Sequence, residues 1–162
     1  MVQIKFQISE RFVSSTLISR EDGLNLTINF HPRHGTLLYC DFSGFKAPEM
    51  VKCRPVVVIS RKHAGLCTVV PLSGTEPTKI EKYHHEMSPN SLPENLRNKT
   101  TWWAKCDCVT TVAFRRLDRI QVGRDPSGKR LYRADKIGKG DLDAIKRGLE
   151  WYLCIEGLIP AN

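Results

Sequence analysis

Many short β-type runs separated by turn residues, followed by one helical stripe near the C-terminal end, predict a mostly β fold. The expected form is a small barrel or curled sheet closed by a single helix. Val2, Ile4, Phe6 and Ile8 alternate with polar residues, the period of a half-buried strand. Asp22-Gly23 is a tight-turn signal, and Leu24, Leu26, Ile28 and Phe30 alternate again until HPRHG at 31–35 breaks the run. GTLLYCDFSGF reads as a strand entering a Gly/Pro-rich loop that reaches Pro48. RPVVVIS at 54–60 is a continuous β-branched run, which predicts a strand buried on both faces. LCTVVPLS at 66–73 is its hairpin partner, ended by Pro71 and Gly74.

Residues 76–100 are polar with three prolines and predict an exposed, inserted loop with at most one short strand around Lys82–Met87. TWWAKCDCVTTVAF (101–114) and RLDRIQV (116–122) are β-type, and DPSGK (125–129) is a turn. From Asp141 onward, Leu142, Ile145, Leu149, Tyr152 and Leu153 recur at helical spacing. Asp141 and Asp143 suit the positive helix N-terminus, and Gly157 and Pro160 stop the helix. With no repeat or linker, residues 28–159 read as one domain and 1–27 as an N-terminal extension: an added strand, a flexible arm or the product of an upstream start.

At 162 residues the chain is long enough to fold without disulfide or metal staples. Its 41% hydrophobic and 26% charged content argues against global disorder. No stretch approaches the roughly 20 apolar residues of a membrane span. Charges at Lys5, Glu10, Arg11, Arg20, Glu21 and Asp22 interrupt any signal-peptide core, so a cytoplasmic protein without membrane attachment is expected. The six cysteines sit mostly in apolar runs and read as reduced, buried side chains. Cys106, Cys108, His84 and His85 match no common zinc spacing, and no metal or cofactor is expected.

The formal net charge is +8, and its location is informative. Residues 1–30 are neutral overall, whereas 97–139 hold twelve basic and four acidic side chains, equal to the whole excess. A concentrated basic region favours a polyanion, nucleic acid above all.

One set of residues points to chemistry. A strand ends in Asp41-Phe42, a loop carries Glu49, Arg54-Pro55 open a buried strand, and the next strand ends in Pro71-Leu72-Ser73. An arginine heading a buried strand is unusual and is placed to bind phosphate at the lip of a groove, or to pair with Glu49 across the loop. This order and spacing resembles the MazF/PemK (Kid) toxins of type II toxin–antitoxin systems. The resemblance rests on Gly35, Asp41-Phe42, Glu49, Arg54-Pro55 with VVVIS, and Val70-Pro71-Leu72-Ser73, then on AKCDCVTTVAFRRL and the final helix. Ser73 stands where threonine is common in the family, and keeps the hydroxyl.

The resemblance implies an SH3-like barrel of the CcdB/MazF type with a C-terminal helix, and a homodimer. It implies metal-independent cleavage of single-stranded RNA by its own 2′-hydroxyl, leaving a 2′,3′-cyclic phosphate and a 5′-hydroxyl. Arg54 is then the charge-stabilising group, Ser73 a hydrogen-bond donor to the phosphate, and Glu49 the residue that orients Arg54 or accepts the 2′-OH proton. Lys52, Lys105, Arg115 and Arg116 are candidate phosphate contacts, His84 or His85 a candidate base, and Trp102 or Trp103 a candidate stacking platform. A small acidic antitoxin is the expected protein partner. Two other readings stay open on the sequence: a non-cleaving nucleic-acid-binding barrel, and a CcdB-like gyrase poison acting through Leu158 and Ile159.

Overall fold

The computed structural model describes residues 28–61, 63–98 and 101–157. The strands expected at Val2–Ile8 and 24–27, and the tail with Leu158 and Ile159, lie outside the described residues. The framework is a curled antiparallel sheet of β1 (Leu37–Cys40), β2 (Arg54–Val58), β3 (Leu66–Ser73), β4 (His84–Glu86), β5 (Trp103–Lys105), β6 (Thr110–Ala113) and β7 (Leu117–Asp118). Its order is β4-β5-β3-β2-β1-β7, with β6 also on β3. The long β3 pairs with β2 on one side; on the other it takes β6 along Leu66–Val69 and β5 at Leu72–Ser73, which curls the sheet. The terminal strands β4 and β7 do not pair with each other, so the barrel is open. β8 (Ile120–Arg124) and β9 (Arg130–Arg133) form a separate hairpin around the expected Asp125–Lys129 turn.

Alternation along each strand divides the apolar residues between two clusters. Leu37, Val57, Val70, Leu72, Ala104 and Cys106 belong to one, which is closed by Ile145 and Leu149 of α2 (Lys139–Tyr152). Leu38, Cys40, Val56, Val58 and Val69 belong to the other, together with Phe42 and Leu117. Helix α2 lies close to its support: a methyl added at Gly148 would meet Cys106 Sγ at 3.0 Å and the Tyr83 backbone at 3.4 Å. At the helix start, buried Asp141 accepts hydrogen bonds from the Ser88 hydroxyl (3.0 Å) and amide (3.2 Å) and pairs with His85 Nε2 at 2.7 Å. Burial alone would raise the Asp141 carboxyl, but hydrogen bonds from Ser91, His85 and Ser88 outweigh it and hold it below its ordinary value.

Three expectations are corrected here. The 76–100 insert is not simply an exposed loop, because Met87, Leu92 and Leu96 are buried and α1 (Glu94–Arg97) forms within it. These apolar residues pack in one cluster with Trp102, whose indole N–H donates to the Leu96 carbonyl at 3.1 Å. The stripe on the last helix is buried only at Ile145 and Leu149; Tyr152 and Leu153 are exposed, since the helix runs past the sheet that covers its middle. The Cys106–Cys108 segment is a tight 3-10 turn rather than strand, with the Cys106 thiol donating to the Ile145 carbonyl at 3.6 Å.

Candidate active site

Arg54 sits where the chain enters β2 from the 41–53 loop, and Pro55 fixes the backbone that follows. Cys40 is its partner on β1. The β2–β3 register, set by Val56 opposite Pro71, places Arg54 opposite Ser73 when continued by two residues. Ser73 in turn faces Trp103 on β5, and the next rung on that face sets Lys105 against His84 of β4. Directly opposed residues share a face. Arg54, Ser73, Lys105 and His84 therefore form the polar half of the face whose other half is the second apolar cluster.

The Arg54 side chain is half-buried, and its Nε is buried with no hydrogen-bond partner. An unmet buried donor costs about 1–3 kcal/mol, a cost recovered when an acceptor arrives. Ser73 is buried, and its Oγ accepts the Thr75 amide at 3.1 Å, which leaves the hydroxyl proton to donate. His84 is almost enclosed, its side chain 5% exposed. Its Nδ1 accepts the Glu81 amide at 3.1 Å. Its Nε2 lies 3.2 Å from Lys105 Nζ and 3.9 Å from Asp107 Oδ2. Burial, then the Lys105 ammonium, push the His84 pKa below its ordinary value, while Asp107 pulls the other way.

Asp107 was given no role by the sequence reading. Its Oδ1 is buried without a hydrogen-bond partner. With Cys108, Val109 and Thr110 it forms one wall of a cavity of about 260 Å³, whose other wall is Phe42, Phe45, Pro48, Glu49 and Met50. Glu49 does not pair with Arg54: its carboxylate accepts the Lys46 amide at 2.8 Å and holds the loop turn. Among the described residues it lies in no ion pair. Two carboxylates thus face one cavity.

The other expected contacts fall elsewhere. Arg116 Nη1 donates to the carbonyls of Asp41 (3.0 Å) and Ser43 (2.9 Å), and the guanidinium stands 5.1 Å over the Phe45 ring. Asp41 completes this clamp, accepting the Ser43 amide at 2.8 Å and its hydroxyl at 2.9 Å. Arg116 therefore positions the 41–45 loop and has little capacity left for phosphate. Trp102 is only 9% exposed and packs in the helix-side core. Lys52 and Arg115 are exposed, the first in the loop before β2 and the second in the 114–116 turn. Among the described residues no three His, Cys, Asp or Glu side chains are grouped as metal ligands, and no helix is long and apolar enough to cross a membrane.

Comparison with known proteins bears on the fold and the family. The chain is 32% identical over 119 residues to the uncharacterized protein YifN of Escherichia coli (strain K12), covering 61% of this chain and 80% of that protein. It is 33% identical over 101 residues to an uncharacterized protein of Haemophilus influenzae, covering 55% and 71% respectively. Among solved structures, MazF from Deinococcus radiodurans superposes with a TM-score of 0.56 at 15% identity, over 78% of this chain and 99% of that one. An endoribonuclease in complex with its cognate antitoxin from Mycobacterial species gives a TM-score of 0.52 at 17% identity, over 81% and 99%. These two share the fold. Residues 33–153 match the model of the PemK-like, MazF-like toxins, and the chain belongs to this family of type II toxin–antitoxin toxins.

Proposed function

We propose that this chain is the toxin of a toxin–antitoxin pair and an endoribonuclease that cuts single-stranded RNA in the cytoplasm. The observation that carries the reading is the buried, unpartnered Nε of Arg54 opposite the hydroxyl of Ser73, an anion site built in advance on a rigid strand end. Family membership and the fold shared with a Mycobacterial endoribonuclease and with a MazF support it.

The reaction needs proton transfer and charge stabilisation. The RNA 2′-oxygen attacks the adjacent phosphorus and forms the P–O2′ bond of a cyclic phosphate, while the P–O5′ bond breaks. Glu49 and Asp107 are the carboxylates placed to take the 2′-OH proton, and the leaving 5′-oxygen receives a proton from the cationic side of the site, Arg54 or the Lys105 ammonium. Arg54 and Ser73 bind the non-bridging oxygens as their charge grows, and Lys105 adds a second positive charge. No metal is assigned a step. An acidic antitoxin segment suits the same basic face, in keeping with a chain of net charge +8 and with solved antitoxin complexes of this fold. The homodimer implied by the family resemblance is part of the same proposal.

The test is cleavage of a long single-stranded RNA in EDTA, with Arg54→Ala in parallel and end-group mapping of the products. Discrete cuts with 5′-hydroxyl ends, lost in the variant, are expected. A folded protein that cuts nothing, or a variant that cuts at the wild-type rate, would overturn the assignment.

A further inference from the structure

The sequence offers three tryptophans, and the structure separates them by accessibility. Trp102 and Trp103 are 9% and 7% exposed, whereas Trp151, on the last turn of α2, is half-exposed. Its indole stacks on the Tyr83 ring at 5.5 Å between centroids and 27° between planes. Tyr83 also meets Tyr152 edge-on at 5.3 Å and His84 at 4.4 Å. A cation, Lys82 Nζ, stands 5.9 Å from the Trp151 centroid on an exposed side chain that a ligand can displace. Trp151 lines an open groove of about 420 Å³ with Lys82, His84, Arg147, Glu150 and Glu156.

The groove joins the candidate active site through His84, which lines it while holding Nε2 against Lys105 and Asp107. Its chemistry suits a nucleobase. An aromatic face supplies stacking, which is worth most where one ring side is already braced, as Tyr83 braces Trp151. Lys82 and Arg147 suit flanking phosphates, and the carboxylates of Glu150 and Glu156 suit the amino groups on base edges, where a purely cationic groove would bind only the backbone. A mixed set of this kind selects bases rather than adding uniform affinity.

We infer that Trp151, braced by Tyr83, is a base-stacking subsite that receives a nucleotide of the single-stranded RNA next to the scissile phosphate and contributes to the sequence preference of cleavage. The inference rests on the endoribonuclease reading and deepens it. Two other occupants of an exposed aromatic surface, a second copy of the chain and the antitoxin, are separated from it by the experiment.

The probe is a set of short uncleavable 2′-deoxy oligonucleotides, with poly(A), poly(C) and poly(U) as cleavable comparisons. Because Trp103 faces Ser73 and responds to RNA in the active site as well, the part of the quenching that Trp151→Phe removes is the part that reports on Trp151. Expected are saturable quenching, about tenfold weaker binding in Trp151→Ala, and recovery of most of that loss in Trp151→Phe. In cleavage the loss falls on KM rather than kcat, and the preferred sequence relaxes. Sedimentation of each variant controls for assembly. Wild-type binding without quenching, equal affinity in Trp151→Ala, or a loss that tracks dissociation of a dimer would each overturn the subsite while leaving the ribonuclease reading intact. A wild-type protein that neither binds nor cuts RNA would overturn both.

Discussion

The two faces of the curled sheet are built from the same β-branched strands and differ in how completely they are closed. On the helix side, Leu37, Val57, Val70 and Leu72 meet Ile145 and Leu149, and Trp102 finds a partner at Leu96 and Asp141 at Ser88 and His85, while Asn95 Oδ1 of α1 is buried without one. On the other side the apolar cluster gives way to Arg54, Ser73, Lys105 and His84, with Arg54 Nε and Asp107 Oδ1 buried and unsatisfied. One face spends its burial on stability. The other holds polar groups ready for a ligand, which is the usual signature of function bought by local instability.

The contrast breaks most sharply at Arg54. Arg54→Ala is expected to lower the cleavage rate by about 10²–10³-fold or more, the loss seen when one preorganised charge-stabilising donor is removed, with the thermal melt unchanged or raised. A melt lowered as much as by a core deletion would show that Arg54 is structural. The reciprocal variant is Ile145→Ala, fully buried against the sheet. It should destabilise by about 2–5 kcal/mol in denaturant unfolding, as aliphatic core truncations do. If Ile145→Ala costs nothing in stability, the closed face is not the one that holds the fold together.

Ser73 sharpens the comparison, since it belongs to a strand end yet is buried. Ser73→Ala should slow cleavage about tenfold by removing one hydrogen bond to a charged oxygen, and Ser73→Thr should retain most activity. Equal rates in both variants would remove Ser73 from the site. The pH dependence separates the faces again. Asp141 titrates in the folded protein below its ordinary value, so its contribution is present above about pH 3.9 and is lost as pH falls through the lower folded value. Asp141→Asn should therefore flatten the acid limb of a stability profile; an unchanged limb would place the acid sensitivity elsewhere. The smallest effect belongs to exposed Lys52. Lys52→Ala should leave stability within about 0.5 kcal/mol and reduce the slope of RNA affinity against salt by about one phosphate contact. An unchanged slope would show that Lys52 lies off the RNA path.

The comparison also explains what was legible beforehand. Short-range rules suffice for β2 and β3, because uninterrupted β-branched runs bounded by proline and glycine leave few alternatives. The 14-residue helix α2 and the Asp125–Lys129 turn were legible for the same reason. The buried part of the 76–100 insert was not. Met87, Leu92 and Leu96 are spread among polar residues and prolines at no regular period, and only the side of Trp102 makes them a core. Hairpin strand β9 was missed likewise, as Arg130–Arg133 alternates weakly and takes its form from β8.

The same division runs through the site. Arg54 and Ser73 were legible because each marks a strand end in a recognisable spacing, and register alone brings them together. Asp107 was hidden inside a run that reads as strand but folds as a tight turn. Arg116 and Trp102 are already engaged within the fold, and residue type says what a side chain is able to bind, not what it already binds: two loop carbonyls in one case, the Leu96 carbonyl in the other. By itself the sequence determined the strand-rich order, the terminal helix, the family and the arginine–serine pair, all of which follow from local pattern and fixed spacing. Only the tertiary structure decided which tryptophan reaches solvent, which carboxylates share a cavity and which cations are left free. Those depend on contacts between residues far apart in the chain, and a one-dimensional pattern carries no record of them.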